Sequence, residues 1–502
     1  MKTVLSNLIL FESVLLAAVL SSCLKEENPV TEIPDVKSDI IFNGNEIGNG
    51  NQEYEIIGDK IIKAGTYTLK GWVYITDGAT LTIEPGTIIK GDKATKAALI
   101  VERGGKIMAQ GTLAKPIVFT SAQPAGERKP GDWGGLIICG KATNNKTEMI
   151  IEGGPRSRHG GSNDNDNSGV LSFVRIEFAG YPFKTDQEIN GLTLGSVGSG
   201  TKIDHIQVSY SNDDSYEWFG GTVNSKYLVS YHGWDDDFDT DSGFRGKVQF
   251  GLIVRNPLIA DKSISNGFES DNSSDAPKQQ PVTQPIFSNI TLIGPSCQDP
   301  AFENNSSYIT AGAFNPNNGS KLGQFQSAVQ IRRGSNLSLF NSVAVGYPVG
   351  LMICNDKGSQ TQKAATEGKI SFKNNLFAAI TITGSDKDAS FKDSLSVNAS
   401  TFDKEASNSF STSFFNLISN GNTLYNNSQS LMLAQLSSLL PHPNWGPLPG
   451  SPLTNRENLF NESSLSDIFF DKVTFVGAFR SEASVDNWTM GWTNFDPQHT
   501  SY

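Results

Sequence analysis

Three stretches of the 502-residue chain place carboxylates and aromatic rings in the same order. They are NDDSYEWFGG from Asn212, WDDDFDTDSG from Trp234 and NGFESDN from Asn266. Asp213, Asp214, Tyr216 and Glu217 match Asp235, Asp236, Phe238 and Asp239 at an offset of 22 residues. Asp236, Phe238, Asp239 and Asp241 match Asn266, Phe268, Glu269 and Asp271 at an offset of 30. If the stretches stack as neighbouring coils, matched residues sit about 4.8 Å apart. Glu217, Asp239 and Glu269 then form one acidic column, with Asp213, Asp237, Asp241 and Asp271 close by. Two unit charges about 5 Å apart repel by roughly 3 kcal/mol at an effective dielectric of about 20. A hard cation resolves that conflict. Calcium, the expected cofactor, takes about six to eight oxygen ligands from carboxylates and carbonyls. Three other answers stay open: protonated carboxyls, pairing with Arg245 and Lys247, or a solvated ladder without an ion. The chain has no complete EF-hand loop.

Neighbours along a strand point to opposite faces. With the acids outward, Tyr216, Phe238 and Phe268 read as an inward stack. Trp218 and Trp234 are the candidates for outward stacking on a sugar ring. His205 reads as a turn or core histidine, and His232, beside the acidic run, as a candidate base or ligand. No nucleophile elbow or phosphate-binding loop occurs, and the Gly-rich run Gly195–Gly200 opens no helix.

These side chains need a scaffold that stacks short strands. Apolar runs of about four to six residues recur from WVYI to LFAA, each closed by Gly, Asn or Asp. Hairpin signals such as Asn-Gly are sparse between adjacent runs, and the repeat length varies, which a solenoid tolerates by sending insertions out as loops. The expected fold is all-β, a right-handed parallel β-helix with a small mixed C-terminal cap. Leu81 and Leu99 begin similar runs at an offset of 18. Asn289, Asn341 and Asn375 are expected to stack from coil to coil. The boundaries read as 1–22 signal peptide, 23–50 tether, 51–384 β-helix, and 385–502 cap and return segment. Leu431–Leu440 reads as a helix stopped by Pro441.

A net charge of -12 argues against a nucleic-acid partner. At the N-terminus, Lys2 precedes a short apolar run, Ser13–Leu20, too short to span a bilayer. LSSC, Leu20 to Cys23, resembles a bacterial lipobox, which implies cleavage before Cys23 and its lipidation. LKEEN, from Leu24, resembles the surface-export signal of Bacteroidetes lipoproteins and implies an outward-facing anchor in the outer membrane. Three cysteines then remain, and Cys297 with Cys354 is a possible pair in an oxidising compartment.

The stretch from Ile189 to Val254, with GDWGGLIICGKA before it and GWTNFDP near the end, resembles a family of Bacteroidetes surface lipoproteins that are predicted β-helices. Part of it also resembles pectate lyases. KIDHIQVS, from Lys202, is similar to their Trp-Ile-Asp-His motif, and Asp213 and Glu217 fall where that family carries calcium ligands. VRNPLIA, from Val254, is similar to their Arg-x-Pro-x-x-Arg, with Ala260 in place of the second Arg. That resemblance implies Arg255 as the proton-abstracting residue, with Lys247 as the other candidate. The expected function is a surface lipoprotein, stabilised by calcium, whose β-helix binds a glycan, a protein or an outer-membrane importer. The alternative is a calcium-dependent uronate lyase. Ligand and oligomeric state are not fixed by the sequence.

Overall fold

The computed structural model describes residues 44–502, except 147, 185–186, 276, 387–407 and 438–442. The expected signal peptide, Cys23 and the export-like run lie outside the described residues. No helix among the described residues is long and apolar enough to cross a membrane.

The chain winds as a parallel β-helix. One face is an eleven-stranded sheet running from Tyr54–Ile56 to Ile382–Ser385, with parallel pairing between successive coils. Seventeen further strands form a second sheet that folds into two faces, and two short antiparallel pairs, Met149–Ile150 with Arg158–His159 and Pro182–Lys184 with Gln187–Glu188, stand apart from both. The central strands of the second sheet, from Gly169–Glu177 to Ile286–Ile293, are long and kinked at one residue each. Those residues are Phe173, His205, Tyr227, Phe250 and Asn289, all at φ between 50° and 62°. Register is kept on either side of the kink and skipped at it. A left-handed residue costs about 1 kcal/mol or more outside Gly and Asn. Stacking offsets that cost here: ring centroids lie 4.3 Å apart for Phe173 and His205, 4.4 Å for His205 and Tyr227, and 5.1 Å for Tyr227 and Phe250. His205 is therefore a turn residue.

Further along, Asn takes over the kink. The registers on either side match Asn289 to Asn341 and Asn341 to Asn374. Asn375 is thus one residue out of the expected ladder. It holds the next position, where its Oδ1 accepts the Ser342 N–H at 2.9 Å.

The coil repeat also differs from the expected 18 residues. Val73 pairs with Leu99, and Leu81 with Ile107, each 26 residues on. Leu81 and Leu99 lie on different sheets of the helix, so their likeness reflects similar strands within one coil rather than stacking.

The interior is a continuous apolar column. Around the three acidic stretches it holds Tyr216, Trp218, Phe238, Phe244, Phe268 and Phe287, all fully buried. Trp218 stacks on Phe244 at 5.5 Å and on Tyr216 at 5.8 Å. It is two residues from Tyr216 and shares its inward face, which removes it as a sugar platform. Trp218→Ala is expected to destabilise the fold by about 3–5 kcal/mol, read as a lower denaturant midpoint with little change in slope.

At the C-terminal end the helix Phe410–Phe415 covers the core. Ser409 caps it by accepting the Thr412 N–H at 3.0 Å. Phe414 and Phe415 bury against the core that includes Phe372 and Phe377. The remaining tail runs back along the outside of the coils. Asn341 and Asn289 donate to the Leu459 and Phe475 carbonyls. Gln249 and Gln207 each make a reciprocal pair with tail backbone, at Asp471 and Asn494. The helix expected from Leu431 is not formed over its described part. A 3-10 turn, Ser428–Leu431, ends at Met432 with φ 51°, and Leu433 bridges antiparallel to Pro447. Burial of Leu431 in the tail cluster overrides the local helix propensity. The Cys297–Cys354 pair that the sequence left open is not formed, and Cys139 and Cys354 are buried.

Candidate metal and ligand site

The offsets read from the sequence are the registers of the eleven-stranded sheet. Tyr216 pairs with Phe238 and Phe238 with Phe268, which puts Glu217, Asp239 and Glu269 side by side on its outer surface. Two residues on, Asp241 lies between Phe219 and the position of Asp271. The turns before these strands form a second ladder. The Asp214 Oδ1 accepts the Asp236 N–H at 2.8 Å, Asp236 accepts the Asn266 N–H, and Asn266 accepts the Ser327 N–H at 3.1 Å. Each turn carboxylate or amide thus ties its coil to the next, which fixes side chains that mutual repulsion would otherwise splay.

The two ladders wall a pocket of about 490 Å³. Glu152, Asp213, Asp214, Glu217, Asp235, Asp236, Asp239, Asp261 and Glu269 line it, against Lys262, Lys321 and Arg332. Carboxylate oxygens of Asp213, Asp214 and Asp235 lie within 4.8 Å of one another, as do those of Asp214, Glu217 and Asp239. Burial, and then the neighbouring carboxylates, hold Asp214, Glu217, Asp236 and Asp239 well above the usual carboxylate range. Burial, with Asp261 next to it, pushes Asp235 up to about 7. In the pocket, two buried carboxylate oxygens, Asp235 Oδ1 and Asp239 Oδ1, find no hydrogen-bond donor among the described residues. This donor set is all oxygen and strongly anionic, as a hard dication requires.

Of the seven residues expected as ligands, Asp213, Glu217, Asp239 and Glu269 line the pocket. Three do not. Asp237 points the other way from Asp236, into the interior, where its Oδ2 pairs with Arg255 at 3.0 Å with both side chains fully buried. Asp241 lies on the outer column beyond the pocket, and burial with Asp271 beside it raises its carboxyl to about 7. Asp271 is clamped by Arg332 at 2.9 Å and Arg333 at 2.6 Å. Arg332 also pairs with Glu269. Arg332 matches Asp271 one coil on, because Ser270 pairs with Ile331. The column therefore ends in arginines, and the long insertion before Ser327 hid that match in the sequence. Arg245 and Lys247, expected as partners of the column, pair elsewhere, with Asp164 and with Asp467.

Arg255 is fully buried. Its guanidinium also donates to the Asp235 carbonyl at 2.5 Å and lies 5.1 Å from the Phe325 ring. Burial opposes its charge, but the Asp237 carboxylate outweighs that and raises its pKa. A base must be exposed to substrate and able to lose its proton, so Arg255 cannot abstract one here. Lys247 lies on the other sheet, outside the pocket. Lys247→Ala is expected to change stability by no more than about 0.5–1 kcal/mol and to leave any activity at the acidic pocket intact, as measured by melting and product assay.

Trp234 is 1% exposed, and its indole N–H donates to Asp261 at 3.1 Å. It holds the Asp261 turn over the pocket and presents no face to a ligand. His232 is buried, contacts the Tyr210 hydroxyl at 3.0 Å, and is lowered to about 3 by burial and then Arg255. Burial keeps it neutral. Phe183, with Pro182, does line the pocket. It packs at 4.8 Å on Trp72 and 5.0 Å on Tyr181. Sequence reasoning missed it because it lies in an insertion, Pro182–Lys184, outside the repeat. A second groove on the same face, about 690 Å³, gathers Arg103, Lys141, Arg156 and Arg158 with Asp77 and Glu102.

A family model for the pectate-lyase like beta helix domain matches residues 55–425. The chain belongs to that family. No curated protein and no solved structure matches it. Within this pectate-lyase-like domain, Asp213 and Glu217 do meet in one pocket, while the Arg255 carried over from the sequence motif is a buried structural cation.

Proposed function

We propose that the pocket is a divalent-cation site, with calcium as the ion, and that the face around it binds an anionic glycan. The observation that carries this is the packing of nine carboxylates around one pocket whose ladders prevent them from separating. A bound cation would neutralise them and offer an open coordination position to a sugar carboxylate or hydroxyl. The neighbouring groove, where Arg158 is exposed, would add charge complementarity for an acidic polymer. We further propose that the chain is anchored by lipid on Cys23 in the outer membrane, facing outward, where a glycan, a protein or an importer would meet this face. The loss of both sequence-derived base candidates favours a binder over the uronate lyase. Retardation in uronate-polymer gels, dependent on calcium and without ultraviolet-absorbing products, is the expected result. Unsaturated products would overturn the binder and restore the lyase, with Lys262 or Lys321 at the pocket's lip as the base to test. Labelling of intact cells with a non-permeant reagent tests the location, and loss of membrane association in Cys23→Ala tests the anchor.

A further inference from the structure

We infer that the pocket holds two divalent cations, bridged by the Asp214 carboxylate. This rests on the cation-binding reading above. The two oxygen clusters, Asp213–Asp214–Asp235 and Asp214–Glu217–Asp239, share Asp214 and no other residue. The Asp214 side chain is held in place by the Asp236 N–H on Oδ1, which leaves Oδ2 for a ligand role.

Independent observations point to an ion at each cluster. Asn212 is 3% exposed and lines the pocket beside Asp213. Its Nδ2 donates to Ser320 at 2.7 Å, while its Oδ1 has no partner. Behind the pocket lining, Asn190 is fully buried, its Nδ2 donates to Glu217, and its Oδ1 finds no donor among the described residues. Each cluster also contains one buried carboxylate oxygen lacking a donor, on Asp235 in the first and on Asp239 in the second. Buried acceptors left unmade are costly, and neutral amide oxygens are ordinary calcium ligands. One ion at either cluster would leave the other with an unpaired oxygen and unbalanced carboxylates. Two ions lower the formal charge of the nine ionised carboxylates with Lys262, Lys321 and Arg332 from -6 to -2, against -4 for one ion.

The test is equilibrium dialysis of calcium against the chelator-stripped chain, wild type and three isosteric variants. Wild type is expected to hold two ions. Asp235→Asn and Glu217→Gln should each keep one, and Asp214→Asn should lose both, with affinity at least about tenfold weaker at each site. A single ion in wild type would overturn the two-site inference and leave the cation reading standing. No bound ion would sink both. Two ions in wild type with only one lost in Asp214→Asn would remove the bridge. Circular dichroism checks that the variants are folded, and if Asp214→Asn is not, the counts for Asp235→Asn and Glu217→Gln still decide between one site and two.

Discussion

Metal-free protein will lose thermal stability as the pH rises from about 5 to about 8, and calcium will reverse the loss. The sign follows from linkage. Asp235 and Asp241 are pushed up to about 7 in the fold, and Asp214, Glu217, Asp236 and Asp239 are held well above the usual carboxylate range, all because burial and then neighbouring acids oppose ionisation. In the unfolded chain carboxyls titrate near 4. Between those limits the folded state binds more protons than the unfolded state. Stability must therefore fall as pH rises through that window. Each pKa unit corresponds to about 1.4 kcal/mol, so several such groups make a large effect even after relaxation. A bound dication replaces the protons and flattens the profile. Melting scans in chelator and in calcium at stepped pH check this. A metal-free profile that stays level, or rises, would mean the carboxylates are solvated and independent.

Arg255→Met will cost about 3–5 kcal/mol, because it leaves the Asp237 carboxylate buried and unpaired. Asp237→Asn combined with Arg255→Met will recover a substantial part of that loss, since replacing both members of a buried pair is often near neutral. Calcium binding should survive in the double variant, as neither side chain lines the pocket. Denaturant unfolding of the cycle, with calcium titration alongside, measures both. If Arg255→Met instead kept full stability and abolished product formation from uronate polymers, the residue would be a base after all.

The acidic column was legible in the sequence because neighbouring coils differ by short offsets, 22 and 30 residues, and carry the same residue order. Parity along the strands placed Tyr216, Phe238 and Phe268 inside. The same parity argument, carried two residues further, puts Trp218 inside as well. Turns break parity: alternation would put Asp237 outside with Asp239, yet it faces the interior like its neighbour Phe238, which only the backbone path reveals. Arg332 is 61 residues from Asp271, and an insertion of that length conceals a register. Phe183 and Asn190 act from an insertion and from the preceding coil, where no acidic repeat marks them. The kink stack was half legible. Asn289 and Asn341 were visible as a pattern, but Phe173, His205, Tyr227 and Phe250 share no side-chain type with them. What unites these residues is a left-handed backbone and a ring or amide that can stack.

The measurement that tests the central claim most directly is calorimetric titration of calcium into chelator-stripped protein, with melting followed in the same samples, for wild type and for Glu217→Gln with Asp239→Asn. Saturable binding that raises the melting temperature of wild type, and that falls in the double variant to the one ion left at the Asp213–Asp214–Asp235 cluster, is the predicted result. No binding by wild type, with the double variant equally stable or more stable, would contradict a cation site and leave the acids as a protonated or solvated ladder.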